Sequence, residues 1–127
     1  MEEFFRRARK NKLIAECVEE LYELWVELGK PEPPEGPSTE FRGAPAFLHE
    51  DEIEGLSPED TEREVQRYND SLVQLLELCD IRHIGNGVWY TQYNEGTNEW
   101  QEYQEKSWEI ARDYFTNYMF DFFVDTL

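Results

Sequence analysis

Five acidic residues have the types and spacings that hold a divalent cation when folding brings them together. Glu19-Glu20-x-x-Glu23 and Glu77-x-x-Asp80 each repeat at helical spacing. On two facing helices their carboxylates would supply the oxygen ligands that Mg²⁺ requires, often with a bound phosphate substrate. Cys79 and His83 lie four residues apart, a zinc-pair spacing on a continuous helix. The chain holds only two Cys and two His in all, short of a convincing zinc site. There is no Ser/His/Asp order, no glycine-rich phosphate loop and no CxxC motif. The competing reading of Glu19, Glu20 and Glu23 is the solvated side of an amphipathic helix, and it carries more weight.

A second set of acids suits binding rather than catalysis. Glu16, Glu20, Glu23 and Glu27 recur along one predicted helix, and Glu102, Glu105, Glu109 and Asp113 along another. Residues three or four apart on a helix sit about 5–6 Å apart at Cβ, similar to the spacing of phosphates along one nucleic-acid strand. Between Glu99 and Asp113 only Lys106 and Arg112 offset five acids. A face that keeps this repulsion suits a basic groove; the plain alternative is solubility.

The carboxylate pattern partly resembles the all-α nucleotide pyrophosphohydrolases, whose helices carry EExxE and then ExxD. The resemblance covers Glu19, Glu20, Glu23, Glu77 and Asp80, and a proline-rich stretch separates the two parts here. It implies a Mg²⁺-dependent nucleotide hydrolase as the alternative function.

The elements that must position these residues follow from periodicity. Leu13, Ile14, Cys17, Val18, Leu21, Leu24, Trp25 and Leu28 predict one helix over about 3–28, stopped by Gly29 and Pro31. Its first turns carry Arg and Lys, the wrong end for the helix dipole. Residues 29–57 hold five prolines and read as a long connection, with Phe41, Phe47 and Leu48 available to pin it. Ser57-Pro58-Glu59-Asp60 starts a second helix that ends near Asp80 and buries Val65, Tyr68, Leu72, Leu75, Leu76 and Cys79. Ile81–Ile84 and Val88–Tyr93, around Gly85-Asn86-Gly87, predict a β-hairpin. Asn98, with Gln101, caps a last helix over 98–127. Its Trp100, Tyr103, Trp108, Ala111, Phe115, Tyr118 and Phe122 form an aromatic stripe. The expectation is one α+β domain over 1–127, mostly α with a small β-hairpin: α, long Pro-rich loop, α, β-hairpin, α.

Composition bounds the function. The chain has 127 residues, 39% hydrophobic and 15% aromatic, with a formal net charge of −17. That aromatic content supports a core, and the charge disfavours nucleic acid and anionic membranes while attracting basic proteins. The helix–hairpin–helix order suggests a winged DNA-binding domain, but the acidic last helix argues against it. Residues 1–12 are locally basic without an apolar run, so they read as the start of a cytoplasmic protein. Cys17 and Cys79 read as buried free thiols. Past Thr116 the helix is apolar all round, so Phe120 and Phe123 are interface candidates, for a homodimer or another partner.

The expectation is therefore a non-catalytic, cofactor-free acidic binding protein. It would occupy the nucleic-acid-binding surface of a basic partner such as a nuclease. Phage and mobile-element inhibitors of restriction or CRISPR nucleases, and nuclease immunity proteins, share this physical character. Its binding residues would be Glu16, Glu20, Glu23, Glu27, Glu102, Glu105, Glu109, Asp113, Phe120 and Phe123. A structural or adaptor subunit docking through the aromatic C-terminus is a third reading.

Overall fold

The computed structural model describes residues 1–35, 39–92 and 96–119. Four helices and a three-stranded antiparallel sheet follow in the order α1 (Glu2–Ala8), α2 (Ala15–Glu27), β1 (Thr39–Phe41), a 3₁₀ turn (Glu50–Glu52), α3 (Pro58–Glu77), β2 (Ile81–Gly85), β3 (Val88–Thr91) and α4 (Asn98–Tyr114). A π-helical turn over Phe115–Met119 continues α4. The fold is α+β and mainly helical, in the expected order.

The first helix differs from expectation: the chain breaks between Ala8 and Ala15. Asn11 causes the break to hold. Its Oδ1 accepts from the Leu13 N–H at 3.1 Å, and its Nδ2 donates to Ser71 Oγ at 2.8 Å and Gln74 Oε1 at 3.2 Å on α3. A side chain that bonds its own backbone competes with the helix ladder. The break also removes the dipole conflict. α1 now has Glu2 and Glu3 in its first turn and Arg6 and Arg7 in its last, the favourable arrangement at both ends.

α3 begins as its sequence dictates. Ser57 Oγ accepts from the Asp60 N–H at 3.2 Å, and Pro58 occupies the first turn. It ends at Glu77, and Asp80 then takes a left-handed conformation with φ 57°. The last helix is capped by Thr97, whose hydroxyl accepts from the Trp100 N–H at 3.2 Å. Asn98, the expected cap, is instead the first helical residue; the β-hydroxyl one place earlier reaches the same orphan amide.

The hairpin forms where expected. Asn86 and Gly87 have φ of 55° and 75°, the pair of positive values that a two-residue type I′ turn requires. The long connection supplies a third strand that was not anticipated. β1 pairs with β3, Thr39 opposite Thr91 and Phe41 opposite Trp89, so the order is β1-β3-β2. Phe41 meets Trp108 edge-on at 5.2 Å, and Phe47 stacks on Trp89 at 5.6 Å. Asn69 brackets Leu48 by bonding both its N–H and its C=O. The connection is thus tied to the sheet and to α3 by the aromatics that the sequence marked.

A single apolar cluster joins the elements. Phe5 of α1, Val18, Leu21 and Trp25 of α2, Leu72, Leu75 and Leu76 of α3, Ile81 and Trp89 of the sheet, and Trp100, Tyr103 and Ala111 of α4 are all buried in it. Cys17 and Cys79 are free and buried. Burial pushes the Cys17 thiol up and the Cys79 thiol to about 12, so neither is a nucleophile at neutral pH. Among the described residues no helix is long and apolar enough to cross a membrane.

Candidate functional site

Helices α2 and α4 pack against each other and run antiparallel. At one end Tyr114 of α4 donates its hydroxyl hydrogen to the Leu13 carbonyl, just before α2. At the other, Lys106 of α4 feels the charge of Glu27, the last residue of α2. The apolar stripes that create this contact, Cys17–Leu21–Trp25 and Trp100–Tyr103–Ala111, put the intervening acids outside. Glu16, Glu20, Glu23, Glu27, Glu102, Glu105, Glu109 and Asp113 are all exposed.

The eight carboxylates therefore stand in two rows beside one seam. Each row spans twelve residues, or about 16 Å end to end at the helical rise, and packed helix axes lie about 8–10 Å apart. Lys106 of α4 lies near acids of both rows. Its Nζ lies 2.7 Å from Glu102 Oε1. Its pKa is raised chiefly by that hydrogen bond and then by the charges of Glu102, Glu27 and Glu105, acids drawn from both rows. Of the eight carboxylates, only Glu102 has an ion pair among the described residues.

Several acids outside the seam are paired. Arg7 pairs with Glu77 at 3.7 Å, Arg9 with Glu19 at 2.9 Å, and Lys30 with Glu2 at 3.4 Å. Arg9 also lies over the Tyr22 ring, 4.2 Å from its centre. Among the described residues no ion pair joins the basic start of the chain to the acidic seam.

The five residues of the metal pattern are not gathered. Glu19 is engaged by Arg9 and Glu77 by Arg7. Asp80 is 2% exposed, with Arg82 Nη2 3.3 Å from Oδ1 and Oδ2 accepting from the Gln92 N–H at 3.2 Å and from Gln104 Nε2 at 3.0 Å. Among the described residues no three His, Cys, Asp or Glu side chains converge on one point. Nor do Cys79 and His83 form a pair. The Cys79 Sγ lies 3.7 Å from the Leu75 carbonyl in the core. His83 lies on β2 beside Phe47 and Trp89, each 4.9 Å away, and its Nε2 accepts from the Gly87 N–H. Phe120 and Phe123 lie outside the described residues.

Sequence reasoning missed the buried polar group around Asp80. Gln104 and Ser107 fall in phase with Trp100, Tyr103 and Ala111, on the buried face of α4. Polar residues on an apolar face were the available signal. The chain gives no significant match to models of protein families, to characterised proteins or to solved structures.

Proposed function

We propose that this protein is a non-catalytic binder whose α2–α4 face takes the place of nucleic acid on a basic partner protein. The observation that carries the reading is the pair of exposed, largely unpaired carboxylate rows beside one seam. A 16 Å length of B-form duplex carries roughly nine phosphate charges, at about one per 1.7 Å. The seam offers eight acids in about the same length, with Lys106 offsetting one. A partner built to hold phosphates with Lys and Arg meets a similar charge density on a rigid support.

The rigidity comes from the core beneath. Val18, Leu21, Tyr103 and Ala111 are buried, so the rows cannot shift relative to one another without repacking. Preorganised charge keeps the entropic cost of binding low. Partners of this class are nucleases and other proteins that process nucleic acid.

The test is affinity capture of partners from the native host after nuclease treatment, followed by competition with duplex DNA for the captured protein. Mutually exclusive binding of DNA and this protein supports the reading, with affinity falling steeply as salt rises. Simultaneous binding of both overturns it.

A further inference from the structure

We propose that the cleft between β1 and α4 is a binding site for a small planar amine or amidine, uncharged or cationic. The cleft has a volume of about 460 Å³, and Thr39, Phe41, Thr91, Gln104, Glu105 and Trp108 are among its lining residues. That falls within the roughly 300–1,000 Å³ typical of small-molecule sites. Its floor is buried and its rim exposed: Gln104 is 3% and Thr91 6% accessible, whereas Glu40, Arg42 and Glu105 stand in solvent.

Three features select the ligand. The first is an unserved acceptor. Gln104 Nε2 donates to Asp80 Oδ2 at 3.0 Å, with Thr91 Oγ1 at 3.4 Å, while its Oε1 has no hydrogen-bond partner despite full burial. The amide orientation follows from chemistry, because an oxygen in the Nε2 position would face a carboxylate oxygen that already accepts from the Gln92 N–H. A buried acceptor left alone is unfavourable, and a ligand N–H relieves it.

The second feature is an aromatic wall. Phe41 and Trp108 meet edge-on at 84°, both half-buried, and present apolar ring surface beside the polar floor. A flat ring covers such a wall at small entropic cost. The third is the rim charge. Arg42 lies 3.5 Å from Glu40 and is offset by it, so Glu105, without an ion pair among the described residues, sets the charge of the rim. That excludes anions and favours a neutral or cationic head. Nucleobase-like amines fit this description, and phosphorylated nucleotides do not.

This site shares Glu105 with the partner-binding seam but does not rest on that reading, and its test needs no partner. The probe is 2-aminobenzimidazole, with benzoate as an acceptor-only anion of similar ring size. Titration followed by NMR should show saturable binding of the amine that shifts the Gln104 side-chain amide and the Trp108 indole, and no saturation by benzoate. Trp108→Leu should weaken the amine by roughly tenfold. Glu105→Gln, at an exposed position that does not threaten folding, should weaken the cationic probe benzamidine by a few-fold and leave a neutral amine unchanged. Equal binding of benzoate overturns the proposal. So does an amine that leaves the Gln104 amide unmoved, or a crystal soaked in the amine with only ordered water on Gln104 Oε1.

Discussion

Two acidic regions of this molecule obey opposite rules. Along the α2–α4 seam eight carboxylates stand in water, and only Glu102 has an ion pair among the described residues. Behind the sheet a single carboxylate, Asp80, is buried and receives Arg82, the Gln92 N–H and the Gln104 amide. The seam presents eight exposed charges to solvent and contributes little to the fold. Asp80 contributes almost nothing to the outer field and joins the end of α3 to β3 and α4. Carboxylates hydrated in solvent act at long range on partners, whereas a desolvated carboxylate acts on its neighbours through hydrogen bonds.

The largest expected effect breaks the seam. Replacing Glu102, Glu105 and Glu109 by Gln and Asp113 by Asn should lower affinity for the basic partner by about a hundredfold or more, mainly through slower association. Melting temperature should hold or rise, because the lost charges repelled one another by a few tenths of a kcal/mol per pair. Surface plasmon resonance across a salt series reads both the affinity and its slope. An unchanged salt slope in the mutant would reduce the seam to a solubility feature.

Next in size is the buried hub. Asp80→Ala leaves Gln92 N–H and the Gln104 amide without their acceptor, and should cost roughly 2–4 kcal/mol in urea unfolding. Asp80→Asn keeps one acceptor oxygen and should cost clearly less. If Asp80→Ala unfolds at the wild-type midpoint, the contrast between the two regions fails.

A smaller effect concerns pH. Burial raises the pKa of Asp80, opposed by Arg82 and the Gln92 N–H, and burial raises that of Glu77, opposed by Arg7 and Arg82. In the window from the ordinary carboxylate range, roughly pH 4, up through the raised values, the folded protein keeps protons that the unfolded chain has released. Stability therefore falls as pH rises through that window. Glu77→Gln should flatten this part of the curve without touching the seam; urea midpoints measured across the window test it.

Smallest of all is the paired corner. Arg9→Ala removes the Glu19 ion pair and the contact with the Tyr22 ring, both near the surface. The loss should be about 0.5–1 kcal/mol, read as a shift in thermal midpoint, and partner affinity should be unchanged.

Local patterns in the chain were enough to place much of the molecule. The 3.6-residue recurrence of apolar side chains marked α2, α3 and α4, Ser57-Pro58 marked the start of α3, and Asn86-Gly87 marked the hairpin turn. These signals depend on neighbours a few residues away, so the sequence carries them whole. The same periodicity put the eight seam acids outside, because a helix that buries one stripe must expose the opposite one.

Only the tertiary structure decided the rest. The break at Asn11 depends on Ser71 and Gln74, sixty residues away, whose hydrogen bonds outweigh a continuous ladder between α1 and α2. Strand β1 exists because β3 offers it an edge, and three residues have too little intrinsic preference to announce themselves. The metal pattern dissolved because helical spacing fixes neighbours on one helix but not which helices face each other; Arg7 and Arg9 reached Glu77 and Glu19 first. Asp80 looked like the end of an acidic motif. Folding made it a buried hub, because the left-handed turn after α3 points the chain into the sheet just where Gln104 of α4 meets it.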